Sequence, residues 1–462
     1  MQKILAIAWL TWKAALRFKL FLVIGMLLIL AVVGLPLVIK DDGTARGFTQ
    51  IILTYTLSAI TALLGLSTLW LSCGTLARDI EECQIQVVAT KPVARWQIWL
   101  GKWLGIMSLN AALLAISGGC VYGLLLWRAA TKPPDVQQAL REEILVARGS
   151  VMEASSTADI DAETDRILQE RLKSTPVDEA DRQQLRSDIR KLVRGDMELV
   201  PPSYQRTWKI NLGSARNSLA GKPLQLRVKF NSAQKSSADA TYTTWWEIGD
   251  PKSPNVVRLP PLHLAPGTFH EFTIPADLFD EQGLLTITFI NPNDTSLLFP
   301  LDEGMAVLYP EGSFGLNFAR GLGIIFCWMT LLAALGLAAA SVLSFPVATF
   351  FVLAVMVVVV CSGTLEESVD TGSVAAGNEE TGQAGHSIAD VALIPAFKGA
   401  LVLISLAKNF SPIDALSTGR SISWGEVGLA FTQIVLLLGG IFAAIGIALF
   451  SRRELATAQG TQ

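Results

Sequence analysis

The chain has 462 residues, of which 51% are hydrophobic and 17% charged, and its formal net charge is -3. This composition is too apolar for an ordinary soluble protein of this length. No basic block or stripe of interleaved basic and aromatic residues points to a nucleic-acid partner. The apolar residues concentrate in the two ends of the chain, whereas residues 128–312 have the composition of a soluble domain. We therefore predict an α-helical, polytopic membrane protein with an α+β insertion.

Six apolar stretches are long enough to cross a bilayer core, which requires roughly 20 residues of helix. They are residues 20–39, 51–77, 100–127, 314–342, 343–361 and 427–450. A seventh stretch, 387–408, contains Asp390, Pro395 and Lys398, and we predict a re-entrant or interfacial segment there.

Residues 2–18 come before the first predicted span and have the pattern of an amphipathic helix. At 100° per residue, Lys3, Lys13 and Arg17 share one face, and Ala8 and Trp12 share another. This predicts an interfacial helix lying along the membrane surface. The alternative is that the first span begins earlier and that these charges form its flank.

Lys and Arg in short loops predict the orientation of the chain. With six spans, the basic segments before residue 20, between residues 78 and 102, and after residue 450 all fall on one side. That side is predicted to be the cytoplasm of a multi-pass protein of the inner or plasma membrane, with both termini cytoplasmic. The insertion is then extracytoplasmic.

The insertion changes character near residue 203. Residues 128–202 are rich in Ala, Glu, Arg and Leu with helical spacing broken near Pro176, which predicts a helical hairpin. Residues 203–312 show short alternating runs separated by turns, which predicts a jelly-roll-like β-sandwich. The predicted strands cover residues 224–230, 242–248, 270–274, 284–290 and 305–309. Residues 1–127 and 313–462 then form the membrane part.

The segment 78–99, between the second and third predicted spans, is the strongest functional candidate. It begins charged, continues with Val87 and Val88 available to pack, and breaks at Lys91-Pro92. A short amphipathic helix at a membrane mouth is suited to docking a soluble partner, and the alternative is a plain loop.

This segment resembles the corresponding loop of the permease subunits of ABC-2 type ATP-binding cassette transporters. Cys83 replaces the family's glycine, and Val87 and Val88 replace its leucine pair. The matching residues are Arg78, Glu81, Lys91, Pro92, Val93, Arg95, Gly101 and Lys102. The resemblance implies that Arg78, Glu81, Val87, Val88, Lys91, Pro92 and Arg95 couple the chain to an ATPase.

A second resemblance to the same family lies near the C-terminus, and the two together cover residues 1–127 and 314–455. The matching residues are Asn409-Phe410-Ser411-Pro412, Leu416, Gly419, Ile422, Trp424 and Phe450-Ser451-Arg452-Arg453-Glu454-Leu455. The family pairs two permeases, which implies a homodimer or a complex with a related permease. The chain lacks the Gly-x-x-x-x-Gly-Lys-Ser/Thr loop that cradles nucleotide phosphates, so the ATPase is expected to be a separate chain.

Two functions remain as hypotheses at this point. The first is a transport subunit without enzymatic activity of its own, acting as an exporter or transmitting force to another envelope protein through the insertion. The second is a membrane-anchored binding or scaffold protein without ATP coupling. Two histidines, His263 and His270, lack a third ligand nearby, and no metal or cofactor is expected. Of the adjacent Trp245 and Trp246, strand alternation leaves at most one outward for a ligand such as a sugar.

Overall fold

The computed structural model describes residues 2–17, 19–38, 45–82, 93–131, 137, 145–153, 157–174, 179–213, 224–234, 240–250, 256–275, 278–279, 283–371 and 388–453. The chain divides into two compact units. The helical unit comprises residues 1–147, 312–365 and 397–462, and the β-rich unit comprises residues 148–311 and 366–396.

Helices make up most of the described residues. They are α1 Gln2–Arg17, α2 Lys19–Val38, α3 Ala45–Glu81, α4 Arg95–Ala130, α5 Thr157–Ser174, α6 Glu179–Glu198, α7 Phe314–Ala340, α8 Phe345–Val360, α9 Ser362–Thr371, α10 Ile388–Lys408, α11 Pro412–Ser417, α12 Trp424–Ala430 and α13 Gly440–Arg452. The π-helix Phe431–Gly439 joins α12 to α13.

Five described helical stretches are long and apolar enough to cross a membrane, which supports a multi-pass membrane protein. They are Thr49–Glu81, Arg95–Ala130, Phe314–Ala340, Ala392–Ser417 and Trp424–Arg452. A sixth crossing is available if α8 and α9, which meet at a 57° bend, count as one broken span.

Besides this bend, the set differs from the six predicted spans in two further places. The first predicted span, 20–39, corresponds to α2, an apolar helix of 20 residues with Pro36 inside it that is not among the five. The predicted re-entrant segment 387–408 instead contains one continuous helix, α10, with Pro395 inside it. Its charges, Asp390 and Lys398, do not interrupt the helix, because 21 residues of mostly apolar sequence surround them.

The N-terminal helix α1 packs lengthwise on α4. A Cβ atom added at Gly101 would lie 2.7 Å from Ile7 Cβ, and one added at Gly105 would lie 2.6 Å from Thr11 Cβ. Both pairs advance by four residues, so the two helices run parallel. The face predicted to meet the membrane surface therefore meets protein along this stretch, because two glycines let the backbones approach closely.

Polar side chains join α3 to α4 inside the helical unit. Lys102 is buried and its Nζ donates to the carbonyl of Thr75 at 2.7 Å and to the carboxylate of Asp79. Further along, the Asn110 amide donates to Thr68 Oγ1 at 2.8 Å. A buried ammonium is tolerated only with such partners. These contacts fix the rotation of α3 against α4.

Two antiparallel helices lie between the first strand of the β-rich unit and the others. Asp165 pairs with Arg186 and Asp161 pairs with Arg190, which sets α5 against α6 in opposite directions. Ile160, Ile189 and Val193 form the apolar seam between them. The region predicted to be helical also contains a strand at residues 146–151, so that part of the prediction was wrong. The strand places Gly149 against the ring of Tyr309, where a side chain would not fit.

The twelve strands among the described residues form three sheets. They are β1 Val146–Val151, β2 Leu199–Val200, β3 Gln205–Asn211, β4 Leu224–Val228, β5 Asn231–Ser232, β6 Tyr242–Ile248, β7 Val257–Arg258, β8 Leu262–Leu264, β9 His270–Ile274, β10 Leu284–Ile290, β11 Leu297–Leu298 and β12 Met305–Ser313. The sheet orders are β1-β12-β4-β9, β3-β10-β6-β7 with β8 on β6, and β2-β11-β5.

One apolar core is shared by the two larger sheets. Leu224, Leu226 and Val228 from β4 and Trp208 and Phe289 from the other sheet belong to the same buried cluster. Alternation places every second residue of each strand inward, as expected when two sheets pack face to face. The β-rich unit thus has a hydrophobic core of its own, and the jelly-roll connectivity of its strands stays a prediction.

Candidate functional site: helix ends around Arg78, Glu81 and Arg95

Three of the seven residues predicted to couple the chain to an ATPase lie in the described part of the chain. Arg78 and Glu81 belong to the last turn of α3, and Arg95 is the first residue of α4. Val87, Val88, Lys91 and Pro92 fall in residues 83–92, outside the described residues. The structure therefore shows how the two ends of the predicted coupling segment are held.

Glu81 contacts the start of α8. Its Oε1 accepts a hydrogen bond from the backbone N–H of Phe345 at 2.9 Å. The first N–H groups of a helix have no partner within the helix, and a carboxylate there also interacts favourably with the helix dipole. The side chain is otherwise exposed. The end of α3 is thereby joined to the beginning of α8.

Arg78 contacts the ring of Phe345, whose backbone N–H bonds to Glu81. Its guanidinium carbon lies 4.3 Å from the centre of the Phe345 ring, and the edge of Trp70 packs on that ring at 5.1 Å. A cation over an aromatic face contributes about 0.5–2 kcal/mol, depending on its exposure to solvent. Phe345 is thus held by its backbone and by its ring, both against the last turns of α3.

Arg95 holds the end of the last helix. Its Nη1 lies within hydrogen-bond distance of the carbonyl oxygens of Phe450, Ser451 and Arg453, at 3.1, 2.7 and 2.7 Å. These carbonyls belong to the C-terminal turn of α13 and the residue after it, where a cation is favoured by both hydrogen bonding and the helix dipole. The start of α4 is therefore fastened to the end of α13.

A second arginine extends the contact to α7. Arg453 Nη1 donates to the carbonyl of Ser341, the residue that ends α7, at 3.1 Å. Nearby, Gly446 of α13 leaves room for Trp99 of α4, since an added Cβ would lie 2.9 Å from Trp99 Nε1. These contacts join α3 to α8 and, separately, α4 to α13 and α7, and the short segment from Ser341 to Phe345 connects the two sets. We call the whole the helix-end cluster.

The C-terminal residues on which the second predicted resemblance rests make a separate set of contacts with α7. The Asn317 amide donates to the carbonyl of Arg420 at 2.8 Å, and its oxygen accepts from the N–H of Ile422 at 2.7 Å. Arg320 donates to the Ile422 carbonyl at 2.9 Å and stacks on Trp424 at 4.8 Å. The segment between α11 and α12 is thus fixed to α7 by bonds that leave its backbone satisfied.

In the described part of the chain, His, Cys, Asp and Glu do not come together in threes to ligate a metal ion. His263 bonds to Thr243 Oγ1 at 3.2 Å, and His270 Nε2 lies 2.8 Å from the Ala265 carbonyl oxygen. His263 thus bonds to the neighbouring strand β6, and His270 bonds to the turn before its own strand.

Sequence reasoning missed the residues that Glu81 and Arg95 contact. Ser344-Phe345-Pro346 carries a helix-start signal, because serine before the first turn and proline within it favour that position. That signal locates the helix start without indicating its partner. Arg453 is visible as one of two basic residues after the last apolar run, which is also typical of a plain membrane flank.

Comparisons with protein-family models, with curated proteins and with solved structures give no match for this chain. The function is therefore argued from the residues and from the helix-end cluster.

Proposed function

We propose that this chain is the membrane-spanning subunit of an ATP-driven transporter of the ABC-2 type, with ATP hydrolysis supplied by a separate ATPase chain and two permeases forming one assembly. It acts as an exporter or passes force to the cell envelope through its extracytoplasmic insertion. The termini and the segment 78–99 lie in the cytoplasm in this proposal.

One observation carries the proposal: both ends of the segment between α3 and α4 are bonded to the ends of other helices. Glu81, at the start of the segment, holds Phe345 of α8, and Arg95, at its end, holds the last turn of α13. A partner that displaces this segment would pull on two helices besides the two it connects. Such an arrangement suits a movement imposed from outside the membrane.

Two charged residues within the apolar helices, Lys102 and Arg320, make contacts that favour a substrate other than a small ion. Lys102 is paired with Asp79, and Arg320 bonds to a backbone carbonyl and stacks on Trp424. Charges that serve an ion pathway face a cavity and exchange partners. These contacts instead hold helices together, which supports a bulky or lipid-like substrate, or force transmission alone.

The test is association with an ATPase, measured on protein purified in mild detergent from its native cells. Val88→Asp places a charge on the predicted docking face, and we expect it to abolish co-purification of an ATP-hydrolysing chain. Glu81→Lys should weaken association too, by reversing a charge at the same surface. Membrane abundance should remain normal in both variants.

Glu81→Gln is the matched control, because the amide oxygen still accepts from Phe345 N–H while the charge is lost. If Glu81→Lys weakens ATPase association and Glu81→Gln weakens it about half as much, the charge of Glu81 contributes to docking. If only Glu81→Lys weakens association and Glu81→Gln behaves as wild type, Glu81 acts through its contact with α8. Full association and full ATP-dependent function in both Val88→Asp and Glu81→Lys would refute the coupling role.

The rival function, a membrane-anchored binding protein without ATP coupling, is favoured by one observation in the β-rich unit. Trp245 is 45% exposed, on the outer face of the sheet whose inner face buries Trp246. Exposed tryptophans occur at binding surfaces more often than chance allows. If no ATPase co-purifies and ligand binding survives ATP depletion, the rival function replaces the transporter.

A further inference from the structure

A cavity of about 220 Å³ lies in the helical unit, bordered by α1, α2, α3 and α4. Its wall is mostly apolar and includes Ile24, Leu71, Leu109 and Leu113. An apolar cavity of ~150 Å³ already takes up a small hydrocarbon and stays dry. The cavity therefore suits an apolar group better than water.

The cavity is elongated along α3. The lining residues of this helix recur every three or four positions from Ser67 to Arg78, which is one helix face. At 1.5 Å per residue, that face is ~16 Å long. Trp70 lines the cavity and is 41% exposed, so the wall reaches the protein surface within a candidate membrane span.

Polar residues line both ends of the cavity, Ser67 and Asn110 at one end and Thr75 and Arg78 at the other. Arg78 is half-buried and contributes a positive charge there while it stacks on Phe345. Thr75, one turn earlier, also lines the cavity and is 8% exposed, and its hydroxyl has no hydrogen-bond partner among the described residues. A buried hydroxyl without a partner costs ~1–3 kcal/mol, which a ligand that hydrogen-bonds to it would recover.

We propose that this cavity holds part of one acyl chain of an anionic membrane lipid, with the lipid phosphate at Arg78 and Thr75. The apolar wall fits the chain, the exposed Trp70 brings that wall to the protein surface within a candidate membrane span, and the guanidinium and hydroxyl match a phosphate oxygen. The site does not depend on the proposed transport function, because it uses only the four helices that form it.

The experiment uses the full-length protein, delipidated in neutral detergent and titrated with phosphatidylglycerol or with phosphatidylcholine of identical chains. We expect phosphatidylglycerol to raise the Tm in a saturable manner and phosphatidylcholine to do so only at much higher concentration. Glycerol phosphate and a free fatty acid are titrated in parallel. Glycerol phosphate tests whether the phosphate alone binds, and the fatty acid tests whether the acyl chain alone binds.

Two pairs of variants locate the binding. Leu71→Phe fills the cavity and should abolish the Tm shift, whereas Leu66→Phe, on the exposed face of the same helix, should leave it unchanged. Arg78→Gln should weaken phosphatidylglycerol binding about tenfold, or ~1.4 kcal/mol, and remove the preference over phosphatidylcholine. Arg452→Gln, an exposed arginine outside the cavity, should change neither.

A second measurement covers the case in which Leu71→Phe does not fold. Phosphatidylglycerol with brominated chains should quench the tryptophan fluorescence of the wild type, and Trp70→Phe should lose the saturable part of that quenching. Equal responses to the two lipids, or unchanged responses in Leu71→Phe and Trp70→Phe, would show ordinary contact with surrounding lipid and overturn the proposal.

Discussion

Arg95 joins two parts of the chain that are 355 residues apart, from the start of α4 to the carbonyl of Phe450. The guanidinium can do this because its charged Nη1, with two N–H donors, lies within hydrogen-bond distance of three carbonyl oxygens at once. Arg453 makes a similar contact from its Nη1 to the Ser341 carbonyl. The two arginines replace the missing helical partners at the ends of α13 and α7.

Arg95→Gln should destabilise the end of α13. The variant leaves three carbonyls without a charged donor, and hydrogen bonds to charged groups contribute ~1.5–3 kcal/mol each when buried, less at this half-buried site. Hydrogen exchange should accelerate in residues 446–453. Arg452→Gln is the control, because Arg452 is exposed on the same turn. Equal exchange in both variants would show that the Arg95 bonds contribute nothing to the helix end.

At Gln433, in contrast to Arg95, we expect loss of the polar side chain to stabilise the protein. It lies in the π-helix, and its Oε1 is buried without a hydrogen-bond partner among the described residues. Replacing such a group by an apolar side chain of similar size removes an unmet desolvation cost of ~1–3 kcal/mol. Gln433→Leu should therefore raise the Tm of the purified protein, and Gln433→Glu should lower it. A lower Tm in Gln433→Leu would show that the amide has a partner in the assembled protein.

At this scale the sequence reveals the charged side chains but not their partners. Arg78, Glu81 and Arg95 stand out because they are charged and flank apolar runs. Their contacts are mostly backbone groups or rings of residues hundreds of positions away, such as Phe345 for Glu81. A backbone carbonyl carries no signal in the sequence, so these pairings follow only from the packing of the helices.

At the scale of elements, the contact of α1 with α4 depends on Gly101 and Gly105. These glycines are four residues apart and lie on one face of α4, so they form a continuous groove for Ile7 and Thr11. The sequence shows the spacing, but the amphipathic pattern of α1 equally fits a membrane surface. In the structure, the close approach of the two backbones places this face of α1 against α4 instead of the membrane surface.

Gly105→Ala should weaken this contact. The new methyl group would lie 3.0 Å from the Ala8 carbonyl oxygen and closer still to Thr11, so α1 must move away. Gly119→Ala on the same helix meets nothing within 4 Å and should be neutral or stabilising, since alanine favours a helix interior by ~1 kcal/mol. Thermal unfolding of the two variants in detergent checks the difference. A Gly105→Ala variant as stable as Gly119→Ala would contradict the packing.

Strand prediction succeeded where alternation was strong. The predicted runs 242–248, 270–274 and 284–290 coincide with β6, β9 and β10. The β3 strand was missed, although Trp208 and Ile210 alternate with polar residues and are buried, a signal that was present in the sequence. The β1 strand has no such signal, because Arg148 and Gly149 occupy its centre and β1 is stabilised by contacts with distant strands.

For the whole molecule, orientation is the property that most depends on the number of crossings. The basic-residue argument assumes six spans, with residues 362–426 on the outer side. The continuous helix α10 adds a candidate crossing in that region, whereas α2 is not among the five stretches that are long and apolar enough to cross a membrane. If α10 is counted as a crossing, or α2 is not, the segments that follow it in the chain are assigned to the opposite side of the membrane.

Cysteine labelling decides the orientation. With the native cysteines replaced, Ser236→Cys in the insertion should react with an impermeant maleimide added to intact cells, and Gln459→Cys near the C-terminus should not. Permeabilised cells should label both variants, which controls for reactivity. Labelling of Gln459→Cys alone in intact cells would reverse the predicted orientation and place the helix-end cluster outside the cytoplasm.

Independent folding of the β-rich unit is the second property of the whole molecule. Its two larger sheets share one core, and its described strands begin at Val146 and end at Ser313, so a fragment of residues 145–313 contains all of them. We expect this fragment to be soluble and to unfold in one cooperative transition, because a unit with its own core needs no membrane to exclude water from it.

The adjacent residues Trp245 and Trp246 test whether the core of the fragment is the one in the full chain. Trp246 is 1% exposed and packs on Phe289 with ring centres 4.8 Å apart, whereas Trp245 is 45% exposed. Trp246→Ala should cost ~3–5 kcal/mol of the free energy of unfolding by leaving a cavity. Trp245→Ala should change it by less than ~0.5 kcal/mol, as surface substitutions usually do. Similar losses in both variants, measured by urea unfolding, would mean that the isolated strands pack differently and that the unit requires the helical part to fold.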